Sequence, residues 1–181
     1  MLINGVEVEA SRTGGVFLED DGFNLCIDPG RGAAVADIVV LTDPGFDRSV
    51  VRTISCPRTC VVAASGIDKD DIPVRDKEMI ENGQVIDVYG VRVRSFDEGG
   101  YFVRMNDTGL YYCENSSGYP EEGPKTDAAF VNPGKVDVHG LSTGLRPEVV
   151  VPLTESEEEL VEFAEEMENR GIEVRTPEDL E

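Results

Sequence analysis

Few side chains in this sequence suit metal binding through nitrogen or sulfur, or attack on a substrate. There is one histidine, His139, set in Val136-Asp137-Val138-His139-Gly140, and there are four cysteines. Cys56-Pro57-Arg58-Thr59-Cys60 has three intervening residues rather than two, and no second pair follows. That spacing argues against a zinc knuckle or a thioredoxin-type redox motif. Cys26 and Cys113 lie in apolar runs, and all four thiols are expected to be small buried side chains. Nucleophilic catalysis by Ser, His and Asp would need His139 beside Ser116 or Ser142, and no nucleophile-elbow pattern accompanies either serine. Gly30-Arg31-Gly32 lacks the full spacing of a dinucleotide fingerprint, and Arg31 reads as a solvated loop cation. Carboxylates are the abundant resource: Asp and Glu supply 37 of the 181 residues against 16 Lys and Arg. Hard oxygen donors favour Mg²⁺, Mn²⁺ or Ca²⁺ over zinc. With so many acids, however, acidic loops arise by chance.

The net charge of −21 bounds the partners. Lysine is confined to Lys69, Lys77, Lys125 and Lys135. Nucleic acid and anionic membranes are excluded as partners, because both are bound by clustered Lys and Arg. Excess surface carboxylate fits either a high-salt cytoplasm, where salt screens the self-repulsion, or a solvated acidic surface on an ordinary protein. The N-terminus has no basic region followed by an apolar core, and no apolar run approaches the ~20 residues that span a bilayer, so a cytoplasmic protein is expected. The length predicts one domain over 1–181 with a sizeable core.

The elements that must position any site are mostly short strands. Leu2-Ile3 and Val6-Glu7-Val8 flank Asn4-Gly5, a strong hairpin signal. Val16–Glu19 and Phe23–Ile27 flank Asp20-Asp21-Gly22. Ile38–Leu41 and Cys60–Ala64 are continuous apolar runs, as expected of strands buried on both faces. Asp47–Ile54 predicts a short helix with Val50 and Val51 inward. Residues 69–82 are charged, contain Pro73 and read as a loop. Gln84–Val88, the strictly alternating Val91–Phe96 and Tyr101–Met105 form a meander. Leu110–Cys113, Ala128–Val131 and Val149–Pro152 are further strands, with irregular chain at 114–126 and 132–147. Ser156 with Glu159 forms a capping box. Leu160, Phe163, Ala164 and Met167 then lay down one helical stripe, ended by Gly171. Glu173–Arg175 reads as an edge strand, and Thr176 as the cap of a final turn. Two groups of strands with few helices predict an α+β sandwich.

The order and spacing of several segments resemble the metallo-β-lactamase superfamily, in particular its small metal-dependent hydrolases similar to ascorbate-6-phosphate lactonase. Leu25-Cys26-Ile27-Asp28-Pro29-Gly30, followed by Ala36–Leu41 and Thr42, resembles the family's Ile-Asp-Pro strand and the strand leading to its Leu-Thr-His-x-His-x-Asp-His loop. Ser95–Arg104, Leu110–Gly118, Lys125–Gly134 and Val149–Thr154 resemble the later strands in order. The resemblance implies a four-layer αββα sandwich of two packed mixed sheets with few outer helices. It also implies a pocket lined by Asp43, Asp47, Arg48, Asp97, Glu98, Glu114, Asn115 and Thr154. In that frame the loop histidines fall on Asp43, Gly45 and Arg48, and only Asp47 keeps the family identity. The bridging aspartate falls on Asn115, with Glu114 beside it, and the last histidine on Thr154.

Hydrolysis in that superfamily rests on two metal ions that activate a bridging water. One imidazole cannot build such a centre, so no zinc and no bound metal is expected. The resemblance, with its ligands replaced, implies a degenerate protein that has lost zinc hydrolysis and acts as a binding or interaction module for a small molecule or another protein. Arg48 is then expected to pair with Asp43 or Asp47. The alternative is a hydrolase with an oxygen-ligated Mg²⁺, Mn²⁺ or Ca²⁺ at Asp43, Asp47, Asp97 and Glu114. Neither reading assigns catalytic residues.

Overall fold

Three two-residue turns show how this chain is laid down. Asn4-Gly5, Asp21-Gly22 and Tyr89-Gly90 all take left-handed φ at both positions, between 49° and 93°. This geometry matches the right-handed twist of the flanking strands. In the computed structural model, which describes residues 1–12, 14–96, 100–114 and 123–180, they join β1 (Leu2–Ile3) to β2 (Val6–Ala10), β3 (Val16–Asp20) to β4 (Phe23–Ile27), and β8 (Val85–Val88) to β9 (Val91–Ser95).

The strands form two seven-stranded sheets. The first runs β1 to β7 in chain order, with β5 (Ala36–Leu41), β6 (Ser55–Ala64) and β7 (Asp76–Ile80) completing it. The second runs β8 to β14, with β10 (Tyr101–Met105), β11 (Thr108–Cys113), β12 (Ala128–Val131), β13 (Val149–Pro152) and β14 (Glu173–Val174). β1 to β4 pair antiparallel and β4 to β7 parallel. The second sheet repeats this scheme, antiparallel from β8 to β11 and parallel from β11 to β14.

Alternating side chains divide the core into three layers of contact. Ile38 and Val40 of β5 and Leu110 and Tyr112 of β11 face the partner sheet. Val39 and Leu41 turn outward beneath Val50, Val51 and Ile54 of α1 (Arg48–Ile54). Tyr111 and Cys113 turn outward beneath Leu141 and Leu145, on a π-helical turn that continues α2 (Val138–Gly140), and beneath Phe163 and Met167 of α3 (Glu157–Glu168). The order is helix, sheet, sheet, helix, the αββα sandwich expected from the sequence. No helix among the described residues is long and apolar enough to cross a membrane.

The structure corrects three local expectations. Residues 69–82 contain not only a turn at Lys69–Asp71 but also β7, a charged edge strand parallel to β6. Residues 132–147 contain α2 and its π-helical continuation. Cys56 is half-buried rather than buried, and the Thr59 hydroxyl beside its sulfur at 3.5 Å helps pull its thiol below the usual value.

The repeated topology carries a repeated loop. β5 leaves through Asp43-Pro44-Gly45, where the Asp43 carboxylate accepts from the Gly45 amide at 2.5 Å, and Asp47 caps α1 by accepting from Ser49 N at 2.8 Å. β12 leaves through Asn132-Pro133-Gly134, where Asn132 Oδ1 accepts from the Gly134 amide at 3.0 Å, and Asp137 caps α2 by accepting from His139 N at 2.9 Å. Short polar side chains that hydrogen-bond the backbone two residues on are suited to such turns and caps.

Candidate functional site

The parallel strands deliver their C-terminal ends to one rim of the sandwich. Asp28 follows β4, Thr42 and Asp43 follow β5, Glu114 follows β11, Asn132 follows β12 and Thr154 stands just beyond β13. Asp28 ends an apolar strand in a left-handed conformation, φ 42°, uncommon outside glycine. Its carboxylate accepts from the Thr42 amide at 2.7 Å and from the Thr42 hydroxyl. From the second sheet the Tyr112 hydroxyl reaches the same place, bonded to Glu114 Oε2 at 2.8 Å and also to Asp28. The result is a polar chain, Thr42–Asp28–Tyr112–Glu114, tying the rims of the two sheets together.

Burial dominates the electrostatics of this chain. Removal from water pushes the Asp28 carboxyl up to about 6, against the bonds from Thr42 and Tyr112 that favour its ionised form, and the Glu114 charge adds to the rise. Burial, then the charges of Asp28 and Glu114, drive the Tyr112 phenol far above its ordinary value. Burial and Asp28 raise Tyr101 to about 12. The loop between β2 and β3 closes over the chain. A Cβ at Gly14 would stand 2.6 Å from Glu114 Oε2, and one at Gly15 would stand 3.1 Å from the Asp28 carbonyl. Arg12 fastens this loop to Glu157 and Glu178, at 2.6 Å each.

Among the described residues predicted from sequence, Asp43, Glu114 and Thr154 share this rim with Asp47 and Arg48 close by, but they do not form one cluster. Asp43 and Asp47 serve the β5–α1 turn and cap, and Asp47 is held below its ordinary value mainly by its bonds from Ser49. Arg48 pairs with Asp71, not with Asp43 or Asp47. As the first residue of α1, it lies near the Lys69–Asp71 turn instead of the loop preceding the helix. Thr154 donates to Glu159 Oε2 at 2.8 Å and accepts from Ser156 N at 3.1 Å. It thus stands inside the capping box predicted for Ser156 and Glu159. Glu114 joins Asp28 through Tyr112, while Asp97, Glu98 and Asn115 lie outside the described residues. His139 sits beside Arg170, 3.5 Å from its Nη1, among the outer helices.

Asp28, Thr42 and Tyr112 were not among the predicted pocket residues. The one sequence signal was an aspartate closing the run Leu25-Cys26-Ile27, and its partner Tyr112 comes from the other sheet. Among the described residues, the donors present do not fit a binuclear transition-metal centre. The chain has a single imidazole, and among the described residues no three His, Cys, Asp or Glu side chains form a group able to hold a metal ion.

No family model matches the sequence, and no curated protein matches it. Solved structures do match the fold. A candidate metal-dependent hydrolase from Parabacteroides distasonis superposes with a TM-score of 0.68 at 15% identity, over 94% of this chain and 97% of that one. A metallo hydrolase from the hyperthermophilic archaeon Ignicoccus hospitalis gives 0.66 at 16% identity, over 94% and 93%. The diiron β-hydroxylase CmlA from Streptomyces venezuelae gives 0.65 at 9% identity, over 95% of this chain and 52% of that one. Together with the two mixed seven-stranded sheets and the outer helices, these likenesses identify the architecture of this chain as the metallo-β-lactamase fold.

Proposed function

We propose that this protein is a metal-independent binding or interaction module built on the metallo-β-lactamase fold, without zinc hydrolase activity and acting in the cytoplasm on a small molecule or another protein. One observation carries the reading. Asp43 and Asp47 do the same work in the first half of the fold that Asn132 and Asp137 do in the second. Their geometry is explained by a turn and a helix cap, with no need for a metal ion. The rim also has its own fastening. Below about pH 6, where Asp28 is neutral, its proton can be donated to the Tyr112 oxygen while Tyr112 donates to Glu114, so there the chain of bonds is satisfied without a cation.

Thermal unfolding with Zn²⁺, Mn²⁺ or Mg²⁺ at constant ionic strength tests the reading. A ligand of the folded state raises the melting temperature by mass action, so a metal-independent chain melts at one temperature throughout. A rise with any of these ions that Asp47→Ala abolishes would replace this reading with that of a metal-dependent hydrolase.

A further inference from the structure

We propose that the rim opposite Asp28 carries a second site, a cleft that binds an organic cation, an amine or a guanidinium, at Asp37 beside the rings of Phe23 and Tyr89. The cleft measures about 680 Å³ and is lined by Asp21, Phe23, Asp37, Pro57, Arg58 and Tyr89. It lies at the N-terminal ends of β4 and β5, where a register shift between β5 and β6 sets Pro57 and Arg58 off the ladder.

Tyr89 is the first anomaly. The two other turns of this geometry use Asn4-Gly5 and Asp21-Gly22, the residue types that tolerate left-handed φ. At Tyr89 the chain places a bulky aromatic at φ 51° and leaves it 57% exposed. Its hydroxyl donates to the Arg58 carbonyl at 3.1 Å, which fixes the ring at the cleft.

Asp37 is the second anomaly. Its side chain is only 14% exposed. One oxygen accepts from the Asn24 amide at 3.1 Å, and the other is met by Arg58 at 3.3 Å. The Arg58 side chain is 81% exposed, so it is a loosely held partner for a carboxylate this enclosed. Asn24, bonded to Asp37 through its backbone, has an enclosed Oδ1 without a protein partner. At the cleft the Asp37 carboxylate is thus held by one backbone amide and one exposed guanidinium. A cation with several N–H groups can take the place of that guanidinium, and aromatic faces favour it over a simple ion. Arg58 then holds the place that a ligand cation takes, and it competes with that ligand.

Titration of the isotope-labelled full chain with benzylammonium, followed by amide NMR at constant high ionic strength, tests this. Benzyl alcohol is the neutral control. Saturable shifts are expected at Asn24, Asp37, Arg58 and Tyr89 with benzylammonium alone, lost in Asp37→Asn and weakened in Tyr89→Ala. Removing the competitor by Arg58→Ala should tighten binding about two- to five-fold, the range of an exposed ion pair. Shifts spread over the acidic surface and indifferent to Tyr89→Ala would overturn the proposal, as would an equal response to benzyl alcohol. Weaker binding in Arg58→Ala would also overturn it, because Arg58 would then support the ligand instead of competing with it. Tyr89 and Arg58 are exposed, so these two variants decide the matter even if Asp37→Asn fails to fold.

Discussion

Replacing Asp28 by asparagine should change how stability depends on pH more than it changes stability itself. Asp28 titrates near 6 in the folded chain against 3.8 for the free side chain. The folded state therefore holds a proton that the unfolded state has already released across this window. A carboxyl raised on folding contributes stability that is fully present below 3.8 and is lost as the pH climbs through 6. A difference of about two pKa units corresponds to about 3 kcal/mol, of which about 2 kcal/mol disappears between pH 4 and 7. The side chain is half-buried, so solvent screening takes part of this figure. The amide introduced by Asp28→Asn would be similar in shape, could still donate to Tyr112 and would not titrate. Urea unfolding at fixed ionic strength, followed by circular dichroism from pH 4 to 7.5, reads the difference between the two proteins. The Asp28→Asn variant should gain about 1–2 kcal/mol on the parent across that range, or about 2–8 °C in melting temperature for a chain of this size. Parallel profiles would refute the reasoning, since Asp28 would then be hydrated or ionised throughout.

Other outcomes follow from the same geometry. Gly15→Ala forces a side chain into left-handed φ against the Asp28 carbonyl and should cost about 1–2 kcal/mol in chemical unfolding, whereas the same change at Gly30, where a Cβ meets nothing, should cost far less. Asp47→Ala should loosen α1, visible as faster amide exchange at Val50 and Val51, equally with and without Mg²⁺ or Mn²⁺. Raising KCl should raise the melting temperature by screening a net charge of −21, and a neutral osmolyte used to separate this from general exclusion effects should act without the steep rise at low salt.

Much of the fold was legible because local chemistry agreed with its place in the sheets. Asn4-Gly5 and Asp21-Gly22 form the predicted turns, Ile38–Leu41 is buried on both faces, the short helix expected from Asp47 is present, and Ser156 caps the helix it announced. What stayed hidden has physical reasons. β7 is an edge strand whose Asp76, Lys77 and Glu78 meet solvent on one side, so charge masks its pairing. α2 is short, is flanked by Pro133 and Gly134, and passes into a π turn, which spoils any 3.6-residue periodicity. At the rim, Asp43 and Asp47 attracted attention because acids at that spacing can bind cations. Their backbone partners, and the matching loop in the second half, become visible only in three dimensions. In sequence Asp28 is only the end of a strand, yet it is the most perturbed carboxyl described, because burial between two sheets is a property of packing rather than of neighbours in sequence.

The central claim is that this fold here works without the metal centre of its structural relatives. Elemental analysis of the full chain, purified without chelators from cells supplied with zinc, iron and manganese, tests it most directly. Only trace metal that dialysis removes is expected, with no change in melting temperature. About two equivalents of tightly held transition metal per chain, the content of a binuclear hydrolytic centre, would contradict it.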